Sequence, residues 1–106
     1  MNARSICNKI PELQATLDVY DPDIFCISET WLSDDFPDSN FQLNNYDIFR
    51  YDRDGGRDLH GGVMIGAKSD LNPVLVKNET NPEIVIIKLK ANGVPLHVVT
   101  AYRPPQ

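Results

Sequence analysis

Residues 24–27, Ile-Phe-Cys-Ile, form an apolar run without polar alternation, which ends in Ser28 and then a carboxylate, Glu29. A strand on a half-solvated sheet alternates apolar and polar residues, whereas a run of this kind is covered on both faces. The chain therefore needs one layer above this strand and another below it. The acid at its end raises a second question. A charge at the mouth of a buried strand is unfavourable unless something there makes use of it.

The preceding segment supplies one covering layer. Ile6, Ile10, Leu13, Leu17 and Tyr20 recur at helical spacing and define one apolar face. Pro11 is compatible only with a first turn, so the helix runs from about Lys9 to Tyr20. Asp21-Pro22 closes it, because a residue before proline avoids the helical region. Residues 33–45, rich in Ser, Asp, Asn and Pro, read as loop. Strands follow at 46–51, 63–67 and 83–90, with a shorter candidate at 73–76 and a last one at 96–102. Gly61 and Gly62 allow close backbone approach just before residue 63. Within 83–90, Val85, Ile87 and Leu89 share a face. Helix, buried strand and then a run of strands spell an α+β fold or a layered α/β sandwich. One helix does not cover both faces of such a sheet. The 106 residues thus read as one part of a larger domain, marginally stable alone, with an inner sheet face left open.

Composition narrows the function. A formal net charge of −5 speaks against a dedicated nucleic-acid binder, though not against an enzyme that grips phosphate through a metal and a few arginines. No apolar run approaches the roughly 18 residues of a membrane span. No basic-then-apolar leader is present. Cys7 and Cys26 do not make a disulfide framework, and an intracellular protein with reduced thiols is expected.

Glu29 is the leading candidate for chemistry. Open α/β sheets keep their sites at the carboxyl ends of central strands. One or two carboxylates, with water and substrate phosphate, are what Mg²⁺ requires. Asp34, Asp35 and Asp38 read as a solvated acidic loop. Asp52-Arg53-Asp54-Gly55 has a calcium-loop look, but the register puts Arg50 and Gly61 where ligands belong. Arg50, Arg53 and Arg57, interleaved with acids, read as a self-neutralised loop. His60 and His97 lack metal-ligand spacing, and Ser28 lacks the glycines of a nucleophile elbow. Tyr102, ending the last strand, brings a phenol to the same end of a sheet.

Four segments, "NARSICNK" (2–9), "DIFCISETWL" (23–32), "FRYDRDGGRDLHGGVMI" (49–65) and "TAYRPP" (100–105), together resemble the endonuclease domain of non-LTR retrotransposons. That domain is part of the endonuclease/exonuclease/phosphatase superfamily, with the apurinic/apyrimidinic repair endonucleases. The resemblance spans nearly the whole chain in order and spacing, and "SETWL" with a downstream "YRPP" is its most specific part. It implies a four-layer α/β sandwich, of which this chain would be a partial copy truncated at both ends. It also implies cleavage of DNA phosphodiesters by water with a divalent metal, usually Mg²⁺. By the same resemblance Glu29 matches the metal-binding glutamate, and Asn2 the asparagine that helps hold the metal. Tyr102 matches the tyrosine on the scissile phosphate, and Arg103 suggests a further phosphate contact.

Two departures qualify the match. Arg4 stands where the repair enzymes often carry an acid. The family's Asp-x-Asn pair, a second Asp and an Asp-His unit fall beyond Gln106. The expectation is the N-terminal half of a target-nicking endonuclease, catalytically silent alone, with DNA as partner of the parent and no membrane. A nuclear location follows from that function, and nothing indicates an oligomeric state. Two alternatives stand beside it: a non-catalytic interaction module derived from the fold, and part of a superfamily phosphatase.

Overall fold

The computed structural model describes residues 5–53, 61–80 and 82–102. A single turn at Ile6–Asn8 leads into helix α1, Ile10–Tyr20. Pro11 lies in its first turn, and Asp21 ends it in the left-handed conformation with its N–H on the Leu17 carbonyl. Six strands follow: β1 Ile24–Ser28, β2 Tyr46–Tyr51, β3 Val63–Lys68, β4 Val74–Thr80, β5 Glu83–Ala91 and β6 Val94–Tyr102. They form two antiparallel three-stranded sheets, in the orders β1-β3-β2 and β4-β5-β6. A bulge between Leu75 and Lys77 shifts the β4–β5 register.

β3 is the centre of the molecule. Val63, Ile65 and Ala67 face the second sheet and pack with Val85, Ile87 and Leu89 of β5. Met64 faces the other way, into a cluster with Ile6, Leu13, Leu17 and Ile27. The described residues thus stack as helix, sheet, sheet, a small β-rich α+β domain. The two-sided cover expected of β1 is present: Phe25 and Ile27 meet the helix layer, while Ile24 and Cys26 meet the inter-sheet core.

One expectation is corrected. The inner face is not open: Val85 and Ile87 are fully buried and Leu89 is 2% exposed, all within this one chain. Taken as one sheet, the strand pattern needs an outside cover. Instead the last three strands form a sheet of their own and fold back over the first, so each sheet covers the other. The fourth layer of the expected sandwich is not seen among the described residues. The polar stretch 33–45 also does more than connect. It contains a turn at Asp38–Phe41, and Phe41 is fully buried against the helix-side core. Gln14 Nε2 donates to the Phe41 carbonyl at 2.8 Å. Among the described residues no helix is long and apolar enough to cross a membrane.

Candidate active site

The chain leaves β1 through a strained corner. Glu29 and Trp31 both have positive φ, 56° and 55°, a region that non-glycine residues occupy only when their surroundings enforce it. The enforcement comes from both sides. The Ser5 and Ile6 amides donate to the carbonyls of Glu29 and Thr30, each at 3.0 Å. The Thr30 and Trp31 amides donate to the carbonyls of Gly62 and Gly61, at 3.4 and 2.9 Å. Gly62, at φ +98°, has no room for a side chain: a Cβ would stand 2.4 Å from Thr30 Oγ1. The glycine pair before β3 is thus required by close approach, as its position suggested.

Tyr102 reaches this corner from the other sheet. Its hydroxyl donates to Glu29 Oε1 at 2.7 Å, joining residues that are 73 positions apart. Glu83 lies opposite Tyr102 in the β5–β6 register. Its carboxylate is buried and accepts the Gly62 N–H at 2.6 Å. Arg53 donates to the same carboxylate through Nη2 at 2.6 Å and Nε at 3.2 Å. One end of the two-sheet stack therefore gathers two side-chain pairs, Tyr102 with Glu29 and Arg53 with Glu83, linked through the Gly62 backbone.

The other candidates sort cleanly. Asp34 and Asp35 are exposed, as a solvated loop requires. Arg50 is neutralised locally: it donates to Asp52 and Asp38, both as close as 2.8 Å, and to the Ser33 carbonyl. Burial works against its charge, but these two carboxylates outweigh it and hold its pKa above the usual arginine value. Arg53 departs from the expected pattern, because its partner is on the second sheet rather than in its own loop. His97 is exposed on β6. Asn2 and Arg103, and with them Arg4, Arg57 and His60, lie outside the described residues.

Spacing suggests no site role for Glu83, and for Arg53 only neutralisation within its own loop. A signal for Glu83 was present: it shares the parity of Val85, Ile87 and Leu89, which puts a carboxylate on the buried face of β5.

Among the described residues no three His, Cys, Asp or Glu side chains converge on one point. Mg²⁺ asks less of the protein, one or two carboxylates with the rest from water and phosphate. The half-buried Glu29 carboxylate is a hard oxygen donor of the right kind and fits that demand.

The model of the endonuclease/exonuclease/phosphatase family matches residues 2–105. The chain belongs to the endonuclease/exonuclease/phosphatase family. Its members include phosphodiesterases and nucleases. No curated protein matches the chain.

In this family domain the Tyr102–Glu29 bond has a measurable consequence. The hydrogen bond to Glu29, then burial and the Glu29 charge, raise the Tyr102 pKa, with Arg53 opposing them. A raised folded value favours the neutral phenol. The bond therefore contributes stability below the unfolded tyrosine pKa of about 10 and loses it as pH rises through the folded value. In ¹³C-tyrosine-labelled protein, with Tyr102→Phe for assignment, the Tyr102 ring should titrate above the ordinary range. Glu29→Gln should bring it back down. Titration in the ordinary range in the native protein would contradict the bond.

Proposed function

We propose that this chain supplies the metal- and phosphate-binding end of a divalent-metal-dependent DNA endonuclease domain of the non-LTR retrotransposon kind. The observation that carries the reading is the meeting of Glu29 and Tyr102 across the two sheets at 2.7 Å. Two residues assigned to one site by resemblance alone come from opposite sheets, and the phenol of one donates a hydrogen bond to the carboxylate of the other.

In this reading Glu29 holds Mg²⁺ with Asn2, and Tyr102 and Arg103 face the phosphate. When bound, the metal supplies charge stabilisation at the phosphoryl oxygens and an activated water. The protein's own contributions are positional. The strained corner fixes the direction of the Glu29 carboxylate. The Tyr102 hydroxyl is a donor that a phosphate oxygen can take over from Glu29, leaving the carboxylate to the cation. Arg53 stays on Glu83 and is not a phosphate ligand. Hydrolysis needs, in addition, the Asp-x-Asn and Asp-His groups of the family. In the four-layer fold of that branch the remaining layer would rest on the outer face of β4–β6, where Val74 and Val99 are about half exposed. DNA as substrate would place the protein in the nucleus of a eukaryotic cell.

The test is metal binding by the chain itself. Mn²⁺, a paramagnetic substitute for Mg²⁺, is titrated into ¹⁵N-labelled protein. The amide signals of residues 28–31 and 102 should broaden first, and excess Mg²⁺ should restore them. Glu29→Gln should abolish the effect, while Asp34→Asn and Asp35→Asn leave it intact. Broadening centred on the Asp34–Asp38 loop, or none near Glu29, would sink the reading.

A further inference from the structure

Arg53 and Glu83 form an ion pair at 2.6 Å, and one short path ties it to the corner. Glu83 Oε1 accepts the Gly62 N–H, and the Gly62 carbonyl accepts the Thr30 N–H, next to Glu29. The Gly61 carbonyl accepts the Trp31 N–H. Arg53 closes over the same spot: a Cβ on Gly61 would lie 2.5 Å from Arg53 Nε and 2.6 Å from Glu83 Oε1. Side chains of the ion pair thus press directly on the glycine backbone that clamps the corner.

We propose that Arg53 and Glu83 are positioning residues, a latch that holds the Glu29–Trp31 corner in its strained form through the Gly61–Gly62 backbone. Three facts point the same way. First, the Glu83 side chain is only 5% exposed and the Arg53 side chain 20%. A buried ion pair is a poor means of adding stability compared with apolar packing, so its placement calls for another use. Second, positive φ at two non-glycine residues persists only where neighbours over-determine it. The Gly61–Gly62 carbonyls are one of the two clamps. Third, the latch begins on β5 and ends on the loop after β1. It therefore couples the sheet that carries Tyr102 to the loop that carries Glu29. Two donors from Arg53 converge on Glu83 Oε2, which leaves Oε1 to the Gly62 N–H.

The latch rests on the nuclease reading only for its purpose; its mechanics are independent of it. Amide hydrogen exchange on the 106-residue chain tests it. Arg53→Gln removes the charge and leaves Glu83 buried without its cation. Exchange at Gly62, Thr30 and Trp31 should quicken by about tenfold or more, while core amides of β3 and β5 keep their protection. Arg53→Lys should restore only part of the protection, since an ammonium lacks the planar fork. Glu83→Gln keeps an oxygen for the Gly62 N–H and should resemble Arg53→Gln, and it decides the matter should Arg53→Gln not fold. Unchanged exchange at Thr30 and Trp31, or an equal rise at every amide, would overturn the proposal. The first would mean that the corner stands without the pair, the second that the pair serves general stability. Mn²⁺ broadening separates the two readings. If the unmutated chain binds no Mn²⁺ at Glu29, the metal-site reading fails, and the exchange pattern still judges the latch.

Discussion

Glu29→Gln is expected to slow metal-dependent nicking by about 10²-fold or more when the domain is completed with the family's Asp-x-Asn and Asp-His segments. Glutamine keeps the length of the side chain, and its amide oxygen still accepts the Tyr102 hydroxyl. What disappears is the negative charge that, in the proposed site, would draw the cation. If Glu29 is a direct metal ligand as proposed, its loss removes stabilisation from charge on the phosphoryl oxygens, and 10²-fold corresponds to about 2.7 kcal/mol. Two comparisons make the result specific. Asp34→Asn and Asp35→Asn remove similar charges from exposed positions in the nearby loop and should change the rate only a few-fold. Tyr102→Phe should fall between, because it deletes one donor while the ring still packs against the inter-sheet core. The ordering is what a plasmid-nicking assay would read. Equal rates for Glu29→Gln and the unmutated domain would reduce the strand-end carboxylate to a structural acid.

The residues that were legible in the sequence are those whose environment is local. Strand β1 announces itself because four residues in a row, Ile24 to Ile27, avoid polarity. Helix α1 does so because its apolar residues return with the helical period and Pro11 marks its start. Glu29 stands out as an acid at the end of a strand whose first four residues are apolar. Periodicity, however, states that a face is buried and not what buries it. Val85, Ile87 and Leu89 were correctly placed on one face, and their cover, Val63, Ile65 and Ala67, lies some twenty residues away by chain. Arg53 was obscured for the same reason. Acids interleaved with it suggested local neutralisation, which is what Arg50 does with Asp52. Arg53 instead pairs with Glu83 on another sheet, and nothing in spacing reveals a partner 30 positions distant. Phe41 was lost in a polar stretch because a single buried aromatic in a loop has no period at all.

The packing of the two sheets sets the second large effect. Ile87→Ala is expected to destabilise the fold by about 2–5 kcal/mol, a large share of the roughly 5–15 kcal/mol that holds a typical domain. Ile87 is fully buried and meets Leu75 and Val98 across the strands, with β3 beneath. Removing its branched side chain leaves a cavity between two sheets that do not collapse independently. Ile86, one residue earlier, points to the opposite face beside Lys77 and Val99 and is only half-buried. Ile86→Ala should therefore cost about 1 kcal/mol. In a chain of this size each kcal/mol shifts the melting temperature by about 4–8 °C, so the two variants separate well in a thermal scan. Near-equal shifts, or two resolved transitions in the unmutated chain, would mean that the sheets do not share this core. The same core carries the site, because Glu29 hangs from the first sheet and Tyr102 from the second. Ile87→Ala should weaken the Tyr102–Glu29 contact at temperatures where the chain is still folded. Ile86→Ala should leave that contact intact, since its side chain faces away from the junction.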